Sequence, residues 1–128
     1  MTSPYITIIT EATFEDEVLK SDKMVLIDFY ADWCGPCKAL APTLETFAEE
    51  NKDTVKVVKI NVDNNKNLAA AIGVKSIPLL LTVKDAKLIF GTVGNLPKGD
   101  IEKFVAESFE AAKTPPTNNP VDKGPDLK

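Results

Sequence analysis

Two hydrophobic periods take turns along this chain, one of two residues and one near 3.6. The segment YITII, Tyr5 to Ile9, predicts a first strand. From Thr13 onward Phe14, Val18 and Leu19 fall on one helical face, and Thr13 with Asp16 resembles a capping box. MVLIDFY, Met24 to Tyr30, is apolar on both parities, the mark of a strand covered on both faces. Gly35 to Asn51 reads as a helix with Leu40, Leu44, Phe47 and Ala48 inward and Glu45, Glu49 and Glu50 outward. Pro42 lies inside it, and because the stripe continues past Pro42 a kink is expected rather than a break. VKVVKINV, Val55 to Val62, is another near-continuous strand, followed by a short helix from Asn67 to Ile72. Strands near Leu79 to Val83 and Lys87 to Val93 form a hairpin turning at Asp85-Ala86. A last helix, Lys98 to Ala112, turns Ile101, Phe104, Val105, Ser108 and Phe109 inward.

The order β-α-β-α-β-α-β-β-α separates strands by helices, which calls for parallel pairing through right-handed crossovers. The closing hairpin adds an antiparallel edge. The expected class is α/β, with a central mixed five-stranded sheet flanked by four helices. Residues 1–112 form the expected domain. Residues 113–128, KTPPTNNPVDKGPDLK, hold four of nine prolines and almost no apolar side chain, and read as a disordered tail.

Composition narrows the function. At 128 residues and 44% apolar, the chain suits one domain with a core. It has no run long enough to span a bilayer, and its start lacks a basic leader, so a cytoplasmic protein is expected. The net charge is −4 and every cation is Lys. Without Arg there is no bidentate fork for phosphate or guanine, and an acidic domain gains little from a polyanion, so nucleic acid is not the expected partner. With no histidine, Ser-His-Asp and Cys-His nucleophile pairs cannot form. A zinc site wants four Cys or His ligands and the chain offers two cysteines, so no metal is expected.

Both thiols, Cys34 and Cys37, sit in FYADWCGPCKALAP, where the covered strand turns into a helix. A bridge between them closes too short a loop to stabilise much, which leaves redox chemistry. Cys34 at the helix start would face backbone N–H groups without intrahelical partners. That effect, up to about 2 kcal/mol, would bring a thiol from about 8.5 to roughly 7. Cys37, one turn deeper, should be covered and protonated. Asp28 shares a parity with Leu26 and Tyr30 inside MVLIDFY. Burial there would raise its pKa; the alternative is an Asp near a strand end that reaches water.

WCGPC after VLIDFYAD, with KALAPTLE following, then VKVVKINVDNN, IGVKSIP and VGNLPKGDIEKF, resembles the thioredoxin family from about Ile6 to Ala112. A nucleophile near 7 is also that family's standard value. The resemblance implies the thioredoxin fold, with Cys34 as nucleophile and Cys37 as resolving thiol of a reversible disulfide. It implies that Gly35 and Pro36 tune the redox potential and that Trp33 flanks the substrate groove. Asp28 would accept the proton of Cys37, with Lys59 beside it moderating its shift. The bond before Pro78 would be cis, the Ile77 backbone would pair with an extended substrate segment, and Gly94 would form the other wall, where a side chain would obstruct. Departures from the family pattern are Leu79 where Thr is common, Asp85-Ala86 where a Gly is usual, and Pro97 in place of a hydroxyl N-cap.

The implied activity is general protein-disulfide reduction by a cytoplasmic monomer without a cofactor. Electrons would come from a flavoprotein thioredoxin reductase and pass to substrates such as ribonucleotide reductase, methionine sulfoxide reductase or peroxiredoxin. Gly35-Pro36 argues against an oxidase or isomerase, whose dipeptide usually contains His. The alternative from another class is a thioredoxin-fold binding module or subunit with incidental redox activity.

Overall fold

A computed structural model describes residues 3–113. The tail expectation for residues 114–128 lies outside them. Five strands, β1 (Ile6–Ile8), β2 (Met24–Tyr30), β3 (Val55–Asn61), β4 (Leu79–Lys84) and β5 (Lys87–Val93), form one sheet in the order β1-β3-β2-β4-β5. β1 and β2 both pair parallel to β3, while β4 is antiparallel to β2 and to β5. This is the expected mixed sheet. The α-helices are α1 (Gly35–Glu50), α2 (Lys66–Ile72) and α3 (Lys98–Lys113).

β2 is central because its composition permits nothing else. Met24, Val25, Leu26, Ile27 and Phe29 are all fully buried. At about 1.5–3 kcal/mol per side chain, they contribute on the order of 10 kcal/mol, enough to drag Asp28 inside with them. Alternation then sorts the core into two layers. Leu26, Val57 and Leu80 pack with Leu40, Leu44 and Phe47 of α1 and Ile101 and Val105 of α3. Val25, Ile27, Phe29, Val58, Ile60 and Leu81 face the other way, toward Val18, Leu68 and Ile72. Asp28 shares its parity with Leu26, which puts it on the α1 face.

The first helix departs from expectation. It is a five-residue π-helical segment, Glu15–Leu19, in which the Lys20 N–H reaches back to the Glu15 carbonyl at 3.0 Å. The Thr13–Asp16 capping box does not form, because the Thr13 hydroxyl bonds the Thr10 backbone N–H and carbonyl instead. The wider winding keeps Val18 buried but carries Leu19 off that face, to 38% exposure. The other helices follow the sequence. α1 runs uninterrupted through Pro42, which lies on its exposed side, so the N–H that proline lacks is lost where water can serve the free carbonyl. α3 begins from the Pro97 carbonyl, which accepts the Asp100 and Ile101 N–H groups at 3.0 and 3.1 Å. Asp85 and Ala86 both have positive φ, 53° and 65°, the two-residue turn that matches strand twist but that favours Asn-Gly. One contact was not foreseen: the buried hydroxyls of Thr82 and Ser108 lie 2.7 Å apart and tie α3 to β4.

Candidate active site

β2 delivers the chain to the end of the sheet at Tyr30, and a tight turn follows, closed by the Cys34 N–H on the Ala31 carbonyl at 3.2 Å. Cys34 is the N-cap of α1, in extended conformation, with Gly35 and Pro36 in the first turn. Pro36 fits there because the first turn has no carbonyl waiting for its N–H. Cys34 and Cys37 are joined as a disulfide, with Cα atoms 5.2 Å apart. The Cys34 sulfur accepts the Cys37 backbone N–H at 3.2 Å, taking one of the orphan donors of the helix. No acidic residue stands in the first turn of α1 to offset the partial positive charge of that end.

The expected contrast in exposure between the two sulfurs is not met in this oxidised state. Cys34 is 4% and Cys37 3% exposed. The bridge sits with Ala31 in one small buried cluster against which Tyr30, Val62 and Ile77 pack, so neither cysteine stands clear. The asymmetry lies in the surroundings instead. Cys34 Sγ has the helix N–H on one side and the Ile77 carbonyl oxygen at 3.9 Å on the other.

Around the disulfide the structure gathers most of the residues singled out in sequence. Trp33 is 69% exposed, and its indole N–H donates to Asp63 at 2.8 Å. The Ile77–Pro78 bond is cis. The Pro78 carbonyl accepts the Gly94 N–H at 2.9 Å, which brings the third loop to the site. Gly94 has φ +115°, a conformation L side chains rarely adopt, and a Cβ there would meet nothing within 4 Å. Among the described residues, therefore, backbone conformation and not crowding requires the glycine. Gly35 is likewise open around its Cα.

Asp28 and Lys59 pair in register across β2 and β3, with Lys59 Nζ 3.9 Å from Asp28 Oδ2. Asp28 is fully buried, and among the described residues neither carboxylate oxygen has a hydrogen-bond partner, Cys37 included. Burial pushes its pKa up to about 6, with Lys59 pulling the other way. The water-reaching alternative is thereby set aside. Lys59, Tyr30 and Cys37 line one open groove of about 1050 Å³, which also takes in Lys38 and Glu45 of α1.

Two contributors were missed in sequence. Asp63, which anchors Trp33, sits in a loop pinned by Asn61, whose side chain accepts the Asp63 and Asn64 N–H groups at 2.8 and 3.2 Å. The Asn-rich run after β3 was the available signal. Tyr30 is the other; its shared parity with Asp28 pointed to it.

What this arrangement can do follows from its parts: a bridge set on a helix start, a buried titratable carboxylate nearby, and an exposed aromatic beside it suit reversible thiol–disulfide exchange. Comparison with known proteins agrees. The thioredoxin family model matches residues 5–107. A thioredoxin of Chlorobaculum thiosulfatiphilum is 44% identical over 98 residues, 77% of this chain and 91% of the relative. Thioredoxin 1 of Synechococcus elongatus is 47% identical over 90 residues, covering 70% and 84% respectively. A thioredoxin of Haemophilus influenzae is 46% identical over 97 residues, covering 76% and 91%. With a family match over most of its length and its two cysteines bridged at the head of α1, the chain belongs to the thioredoxin family and is a protein-disulfide oxidoreductase.

Proposed function

We propose that the protein works in the reducing direction, as a general protein-disulfide reductase with Cys34 as nucleophile. The observation that carries the nucleophile assignment is the Cys37 N–H on the Cys34 sulfur. A bridged sulfur accepts it weakly; the Cys34 thiolate of the reduced protein would accept it as a charge-assisted bond, so Cys34 is the sulfur that ionises and attacks, while the reducing direction rests on Gly35-Pro36. The Cys34 thiolate attacks one sulfur of a substrate disulfide, forming a mixed disulfide and expelling the other sulfur as a thiolate that takes a proton from water. Cys37 then loses its proton to Asp28, through water entering beside Lys59, and attacks Cys34 Sγ. The Cys34–Cys37 bond forms, the mixed disulfide breaks, the second substrate sulfur leaves as a thiolate that takes the proton back from Asp28 through water, and the substrate departs with two electrons and two protons gained. Trp33, Ile77 and Gly94 border the surface where the substrate segment lies, and Gly35-Pro36 favours the reducing potential.

A thioredoxin exchanges electrons with a thioredoxin reductase and with disulfide-bearing proteins, and members of the family carry no prosthetic group. Among the described residues no cluster of three or more His, Cys, Asp or Glu side chains could hold a metal ion, and no helix is long and apolar enough to cross a membrane. The finer assignments are part of the proposal: a flavoprotein reductase as donor, ribonucleotide reductase, methionine sulfoxide reductase and peroxiredoxin as substrates, and a cytoplasmic monomer. The expected boundary at residue 112 moves by one, because Lys113 is the last residue of α3; the proposed domain runs to Lys113, with the remainder a passive extension. Insulin reduction coupled to dithiothreitol tests the mechanism. Cys34→Ser abolishes activity and Cys37→Ser accumulates mixed disulfides; full activity in either variant removes the mechanism. A midpoint potential as oxidising as that of secretory oxidases would overturn the direction.

A further inference from the structure

Tyr30 has no part in the steps above, yet its ring occupies one side of the Lys59 ammonium. Tyr30 and Asp28 stand on one face of β2, two residues apart, and Lys59 faces both from β3. Lys59 Nζ lies 4.5 Å from the centroid of the Tyr30 ring and 3.9 Å from Asp28 Oδ2. No other partner for this ammonium is found among the described residues. A lysine has four flexible methylenes and ordinarily turns its head to water. Here the way out is open, because the side chain is 19% exposed and borders the groove that holds Cys37. The face of an aromatic ring attracts a cation, most strongly where water is scarce.

We propose that Tyr30 is a positioning residue, its ring face holding the Lys59 ammonium beside Asp28 so that the buried carboxylate keeps its counter-charge during resolution by Cys37. This rests on the proton role given to Asp28 above. The other charged groups do not replace the lysine. Asp32, after β2, and Lys38 and Glu45, from α1, line the same groove, and Cys37 is bridged. β4 sets Leu80 opposite Asp28. Of all these groups only Lys59 acts appreciably on the carboxylate.

The test is a ¹³C carboxyl NMR titration of Asp28 in the oxidised protein, for wild type, Tyr30→Phe and Tyr30→Leu, each with and without Lys59→Met. Tyr30→Leu frees the ammonium and raises the Asp28 midpoint by about half a pH unit or more. Tyr30→Phe keeps the ring face and leaves the midpoint within about 0.2 units of wild type. In the Lys59→Met background the effect of Tyr30→Leu disappears, as a double-mutant cycle requires if the ring acts through the lysine. A fall in the midpoint, which entry of solvent alone would cause, overturns the proposal, and so does an equal rise without Lys59. Should Tyr30→Leu not fold, Tyr30→Met carries the same test. The titration reads Asp28 and not turnover. An intact cycle with an unchanged single-turnover rate of resolution would therefore sink the proton role of Asp28 while leaving the positioning by Tyr30 in place.

Discussion

Replacing Asp28 with Asn should make this protein more stable at neutral pH and leave it no more stable in acid. The carboxylate is fully buried with no hydrogen-bond partner among the described residues, and its pKa stands near 6 against an ordinary 3.8. The folded state therefore binds this proton more tightly than the unfolded chain does. By linkage, stability falls as pH rises from 3.8 to about 6 and stays low where the group is charged in both states. A shift of just over two pH units, at about 1.4 kcal/mol each, amounts to about 3 kcal/mol. The attraction of Lys59 is already inside that figure, since it opposes the shift. Asn matches the carboxyl in size and cannot ionise. Asp28→Asn should thus gain about 3 kcal/mol at pH 8, roughly 10–15 °C in Tm, and nothing near pH 3.5. Guanidinium unfolding of the oxidised protein, followed by far-ultraviolet circular dichroism from pH 3.5 to 8, measures this. The difference between variant and wild type cancels every other titrating group. A gain that is the same at both ends of the range, or absent at pH 8, would refute the reasoning. The same substitution should slow resolution by Cys37, because the group that destabilises the fold is the one proposed to take the proton.

Other substitutions probe the fold and the surface. Ala86→Gly should raise stability by about 1 kcal/mol in the same denaturation assay, because Ala86 sits at φ 65° where its Cβ is crowded. Ser108→Ala should cost about 1 kcal/mol, since it removes the 2.7 Å bond to the buried Thr82 hydroxyl, which keeps its bonds to the Phe90 backbone. Asp63→Ala frees the Trp33 indole, and should raise KM for a protein substrate about two- to fivefold at unchanged kcat, as loss of one exposed charge-assisted bond would.

Much of this molecule was legible in the order of its residues, because burial is written in period. MVLIDFY could only be a strand covered on both faces, and the stripe of α1 could only face a sheet. The burial of Asp28 is legible from the strand it sits in, whereas its pairing with Lys59 was implied only by the family resemblance. Local chemistry decided what periodicity could not. Thr13 can reach either its helix or Thr10, and the free-energy difference between these is too small for sequence to rank, so the capping box was misread.

The sequence by itself determined which segments are covered and on which face, apart from Leu19 in the first helix, where the chain must turn, and that its two thiols stand close together at the head of a helix. Only the tertiary structure decided how the loops meet there. The Gly94 N–H on the Pro78 carbonyl, the Trp33 indole on Asp63 and the Tyr30 ring on Lys59 join residues from separate segments. The reason is physical: periodicity reports whether a side chain is buried, which each segment states for itself. Partnership across the fold depends on register, crossover and loop path, which no single segment contains.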